Sequence, residues 1–187
     1  AEDGIRDVER SRGLGDVYKR QDNLSLNIRT GNFLDIEFNK GSFDVISLFF
    51  VAEHFYNVEK VIEKVHVLLK DGGLVVIGLP NRGGICYRIN RREYLSRHPA
   101  DHYFDTSIGN LTKFLKKYGF RKKCIYNTGI HPERFYKRLG MDFKRFSRGR
   151  RGVLASGIYF ILIKLYTVCA QFLRLGDTFE YYGIKKT

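Results

Sequence analysis

Cysteine is scarce and scattered in this chain. Cys86, Cys124 and Cys169 are an odd number of thiols with no Cys-x-x-Cys pair, which argues against a disulfide framework and against a cysteine-based zinc site. The expectation is a reducing, cytosolic setting with the thiols buried as small apolar groups. Internal repeats and low-complexity linkers are missing too, so a single domain accounts for the length. Acidic residues are outnumbered, 20 against 33 Lys and Arg, for a net charge of +13. The excess is concentrated. Residues 121–152 hold eleven Lys or Arg against Glu133 and Asp142, a local net of +9, and residues 82–100 add five Arg against Glu93. A field of that sign favours phosphate-bearing partners, either nucleic acid or an anionic membrane surface.

The first 21 residues, AEDGIRDVERSRGLGDVYKRQ, have five bases, five acids and no helical or strand period. In one reading frame, AEDGIRD and SRGLGDVYKRQ resemble the translation of two parts of a transposase-type sequencing-library adapter, with Val8, Glu9 and Arg10 in place of an index. That resemblance implies a non-native segment at 1–21, which is set aside for fold reasoning. Residues 22–187 are then expected to be the C-terminal portion of a domain.

From residue 22 onward, hydrophobic pattern organises the chain. LSLNIRTGNF alternates as a strand does, and FDVISLFF is a short apolar run, as in a strand covered on both faces. Val58, Val61, Ile62, Val65, Leu68 and Leu69 recur at helical spacing, with KDGG as the stop. LVVIGLPN reads as a second buried strand ended by Pro80. Strand, helix, strand within this length is a βαβ unit, so strands near 43–49 and 73–79 are expected to be parallel neighbours. A further helix carries Ile108, Leu111, Leu115 and Tyr118 and closes at Gly119. FRKKCIYNTG and DTFEYYGIKK are the remaining strand candidates.

Between those two strands, about residues 131–176 read as an insertion. HPERFYKRLGMDFKRFSRGRRG interleaves bases with aromatics, and VLASGIYFILIKLYTVCAQFL is a 21-residue helical run whose only charge is Lys164. A helix of that length matches a bilayer core. Lys164 near its middle would cost roughly 2.5–3.5 kcal/mol, however, and a crossing would part DTFEYYGIKK from its sheet.

GNFLDIEFNKGSFDVISLFFVAEHFYNVEKVIEKVHVLLKDGGLVVIGLPN, with HYFDTSIGNLTKFLKKYGF after it, resembles the class I S-adenosylmethionine-dependent methyltransferases, of the type that includes ubiquinone-biosynthesis enzymes. The family pattern of Gly-Asp, SFD, LEH, LLKPGG and Pro-Asn is followed in order over residues 26–130. The resemblance implies an α/β, Rossmann-like sheet, mostly parallel with an antiparallel last strand. The family's first strands, with their glycine-rich turn and ribose-binding acid, find no counterpart here. S-adenosyl-L-methionine is the implied cofactor.

By position, the resemblance assigns Asn32, where the family usually has Asp, to the adenine amino group and Phe33 to the ring. Phe49 and Phe50 fall where the family backbone meets the methionine part of the cofactor. Glu53 and His54 match the family's Glu-His pair; His54 is the candidate base for a hydroxyl acceptor, against the alternative that the pair only orders a loop. His102 is in the same position of doubt, and His66 has no companion at metal spacing. No metal site is expected. The expected acceptor is a small-molecule, lipid-linked or glycan oxygen, with residues 131–175 resting peripherally on an anionic membrane at its cytoplasmic face. An RNA methyltransferase or nucleic-acid-binding protein is the rival that the basic stretch invites, but LPNR lacks the Pro-Pro-Tyr box of base-amino methyltransferases. A non-catalytic relative is the other.

Overall fold

The computed structural model describes residues 29–89, 91–96, 98–129 and 150–187. Ala1–Ile36 and Glu37–Thr187 form two compact units. Of the first, the described part is a turn: Asn32 O accepts from the N–H groups of Asp35 (2.9 Å) and Ile36 (3.2 Å). The strand expected over LSLNIRTGNF is not present from residue 29 onward, where Gly31 at φ +140° feeds that turn; its earlier half lies outside the described residues, as does the stretch at 1–21.

The second unit runs β1 (Phe43–Phe49), a 3-10 turn (Ala52–His54), α1 (Val58–Leu68), β2 (Leu69–Pro80), two short helices α2 (Ile85–Ile89) and α3 (Arg91–Ser96), α4 (Ile108–Lys117), β3 (Phe120–Gly129), α5 (Arg150–Phe172) and β4 (Thr178–Lys185). These strands form one sheet in the order β1-β2-β4-β3. β1 and β2 are parallel, and β4 runs antiparallel to both β2 and β3. Three strands therefore share a direction and the last opposes them, as the sequence implied.

Local chemistry accounts for the helices. Asn57 caps α1, its side-chain oxygen accepting from Lys60 N–H, and Val61, Ile62, Val65 and Leu68 are buried. Ser107 caps α4 in the same way, and α4 buries Ile108, Leu111 and Leu115. Gly119 then takes φ +83°, and a side chain there would meet the His66 ring. With Val75, Ile77, Leu79, Phe120, Phe179 and Tyr181 these residues make the core.

Three expectations are corrected. KDGG does not stop α1; the chain turns extended at Leu69 and the whole of Leu69–Gly73 belongs to β2. Tertiary pairing overrides the helix-stop signal: Leu69 is fully buried opposite Phe43, and Lys185 Nζ donates to its carbonyl at 2.8 Å. FDVISLFF is not covered on both faces: of β1 only Leu48 is buried, while Val45 and Phe49 stay about half exposed. Of the thiols only Cys86 is buried; Cys124 sits at a register shift of β3 and Cys169 faces outward from α5.

The apolar run does form one long helix, α5. No helix among the described residues is long and apolar enough to cross a membrane. On one side of α5, Leu162, Tyr166 and Ala170 pack with Ile85 and Leu175. Asn127 and Gln171 exchange side-chain-to-carbonyl hydrogen bonds of 3.2 Å, pinning the helix end to β3. The opposite side leaves Ile158, Ile161, Leu165, Val168 and Phe172 exposed at alternating spacings of three and four.

Candidate active site

Open α/β sheets bind ligands outside the carboxyl ends of their parallel strands, here the ends of β1 and β2. β1 finishes in Phe49, Phe50 and Val51, all half exposed. Phe50 N–H donates to Gly78 O at 3.0 Å, and Phe50 adopts φ +52°, a conformation uncommon for a bulky residue. Gly78 lies under this corner: a Cβ there would fall 2.9 Å from Phe49 Cδ1.

The 3-10 turn after β1 places Glu53 inward and His54 outward. Glu53 is buried, and its carbonyl accepts from the N–H groups of Tyr103 (2.7 Å) and Phe104 (3.1 Å). Its Oε2 has no hydrogen-bond partner among the described residues. His54 Nδ1 lies 3.1 Å from the Asp101 carbonyl and 3.3 Å from Asp101 Oδ2. The His54 and His102 rings meet edge-on, 4.8 Å between centroids. A carbonyl oxygen can only accept, so this contact calls for the proton on Nδ1 and leaves Nε2 with its lone pair.

Thr106 anchors the far end of the same loop to β2, bridging Asn81 and accepting from Arg82 N–H at 3.0 Å. Asn81 is buried; its amide donates to Gly176 O (2.7 Å) and accepts from Gly83 N–H (2.9 Å). Residues 98–106 thereby lie across the ends of both parallel strands. Tyr94 stands beside this loop, its ring 6.4 Å from that of His98. Burial, helped by Asp105 and Asp177, pushes its hydroxyl up to about 12, so it remains a neutral donor.

Structure thus gathers Phe49, Phe50, Glu53, His54 and His102 at one end of the sheet. Asn32 and Phe33 belong to the other unit. There the Asn32 side chain closes its own turn, accepting from Leu34 N–H (3.1 Å) and donating to Asp35 Oδ2 (2.9 Å); Phe33 is partly buried. His98 and Asp105 escaped the sequence reading, although RHPADHYFD, with two His and two Asp in nine residues, carried a signal.

A family model described as a methyltransferase domain matches residues 8–124. The chain belongs to this family. Similar solved structures include an S-adenosylmethionine-dependent methyltransferase of Thermotoga maritima, described as a possible histamine N-methyltransferase. It has a TM-score of 0.55 and 16% identity over 86% of this chain and 65% of its own. A candidate methyltransferase of Bacillus halodurans gives 0.53 and 13% over 88% and 79%. The cyclase SpnF gives 0.51 and 15% over 97% and 61%. No curated protein sequence matches. The methyltransferase domain described here thus has the class I S-adenosylmethionine-dependent fold, and a cyclase on that same fold shows that the fold does not dictate the reaction.

Proposed function

We propose that this domain transfers a methyl group from S-adenosylmethionine to an oxygen of a lipid-linked or glycan-type acceptor, with His54 as the base. The observation that carries the reading is the position of His54. It stands just past the open carboxyl end of β1, with Nδ1 against the Asp101 carbonyl. Phe49, Phe50 and Val51 offer half-exposed apolar surface suited to the uncharged parts of the cofactor. The cofactor supplies an activated methyl group when bound; the chain's own task is to align the acceptor hydroxyl, exclude water and take its proton at His54 Nε2.

The acceptor class rests on α5. Its exposed stripe of Ile158, Ile161, Leu165, Val168 and Phe172 continues from a basic, aromatic sequence at 131–149, which lies outside the described residues. An apolar helix face beside a basic run suits the surface of an anionic membrane, where lipid-linked acceptors reside. Transfer of labelled methyl to lipid-linked and to water-soluble hydroxyl acceptors, with phosphatidylglycerol vesicles present or absent, tests this. The expected result is vesicle-dependent labelling of the lipid-linked acceptor, lost in Leu165→Glu. Equal labelling of soluble acceptors without vesicles overturns it.

A further inference from the structure

We propose that His98, His102 and Asp105 bind a divalent transition-metal cation at the ligand end of the sheet, with Glu53 orienting His102. Three of the chain's five histidines converge here: the His102 ring is 4.8 Å from that of His54 and 5.2 Å from that of His98. His98 Nε2 lies 2.5 Å from Asp105 Oδ2. Among the described residues, no hydrogen bond of good geometry satisfies the buried nitrogen; the two donor atoms meet directly, and a cation held by both would part them to the roughly 3 Å that metal–ligand distances of about 2.0–2.2 Å require. A ring nitrogen of His102 comes within 4.8 Å of both donors. The side chains of His98 and Asp105 are only 20% and 11% exposed, so water competes weakly for them.

Glu53 completes the set. A carboxylate oxygen of Glu53 also comes within 4.8 Å of a ring nitrogen of His102, and its buried Oε2 has no partner among the described residues. Ligating imidazoles commonly give their other nitrogen to such a carboxylate, which fixes tautomer and ring orientation. Two imidazoles and a carboxylate suit zinc, manganese, iron(II) or cobalt rather than the all-oxygen preference of magnesium and calcium. Three protein donors leave coordination positions for water or an acceptor oxygen. The loop that carries them spans the ends of β1 and β2 through the Glu53 carbonyl and the Asn81–Thr106 bridge, which places those open positions where ligands enter. A second triad, Glu53, His54 and His102, shares the same histidine. It is the poorer ligand set, because His54 is exposed and its Nδ1 is engaged by Asp101.

The metal-free wild-type chain, titrated with cobalt(II) chloride and followed by visible absorption, tests the site without any substitution. Saturation at one equivalent with a d–d spectrum shifted from that of aqueous cobalt, and displacement by zinc chloride, is the expected result. His98→Gln and Asp105→Asn should each abolish the shifted spectrum in protein whose far-ultraviolet ellipticity is unchanged. Glu53→Gln should weaken binding by about 10–100-fold, the usual effect of losing an outer carboxylate, and His54→Gln should leave affinity unaltered. An aqueous cobalt spectrum throughout the wild-type titration overturns the proposal. So does full affinity in both His98→Gln and Asp105→Asn, or loss in His54→Gln alone, which would put the ion at the other triad.

Discussion

The buried thiol of Cys86 donates to Asp177 Oδ2 at 3.0 Å, while Cys86 N–H donates to Asp177 Oδ1 at 3.1 Å. One carboxylate thus serves both groups at the start of α2. Asp177 backbone adds two more ties: its N–H donates to Gly129 O (2.6 Å) and its carbonyl accepts from Asn81 N–H (2.7 Å). The ends of β2, β3 and β4 and the first turn of α2 therefore meet at one residue.

Removing that carboxylate should cost stability. Asp177→Ala leaves the Cys86 amide without its acceptor in a buried place, an expected loss of about 1–3 kcal/mol. Asp177→Asn keeps one amide oxygen for Cys86 N–H and should lose less. Urea unfolding of the two variants decides; equal stability of Asp177→Ala and the wild type would show that the carboxylate is not holding the start of α2.

Gly78 should be irreplaceable while Phe49 is present. A Cβ at Gly78 would meet Phe49 Cδ1 at 2.9 Å in the β1–β2 ladder. Gly78→Ala is expected to destabilise by about 1–3 kcal/mol, the range for overpacking. Paired with Phe49→Ala, the same substitution should be nearly neutral, giving a coupling energy in a double-mutant cycle. Additive effects would contradict this packing.

His66 gives the fold an acid-sensitive point. Its ring lies edge-on to Phe120, 5.3 Å between centroids. Burial, assisted by Lys185 and opposed by Asp71, holds its pKa below 6.5. The unfolded chain then takes up a proton at higher pH than the folded one. This contribution is full above pH ~6.5 and is lost as pH falls from there through the lowered folded value. His66→Phe should flatten the stability curve over that window. A wild-type curve with no fall there, or a variant with the same slope, would exclude His66 as the cause.

Much of the fold was legible because its signals are local. Val61, Ile62, Val65 and Leu68 mark α1 by their period, and FRKKCIYNTG coincides with β3. Ordered motifs also carried the family. What stayed hidden was set by tertiary partners. Leu69–Gly73 joined a strand because Phe43 and Lys185 receive it, and Asp177 reads as an ordinary loop acid until four segments converge on it. His98 and Asp105 become a pair only when the 98–106 loop folds back over Glu53, so the density of His and Asp in RHPADHYFD marks the segment without saying which of them meet.

His54 is the test of the proposed chemistry. It stands just past the carboxyl end of β1 with Nδ1 facing the Asp101 carbonyl, which orients Nε2 as the proton acceptor. If it takes the acceptor's proton in the transition state, His54→Ala should lower kcat by about 10²–10⁴-fold, the usual contribution of a positioned base. KM for S-adenosylmethionine should change little, since the loss falls on the chemical step. Loss of loop order alone could also depress kcat, so imidazole added to His54→Ala separates the two: a free base restores rate only where a proton acceptor is what was removed. Recovery that saturates with imidazole is the expected outcome. A variant within a few-fold of wild type, or one that imidazole leaves unchanged, would mean that His54 orders the loop above β1 and that methyl transfer here runs without a base.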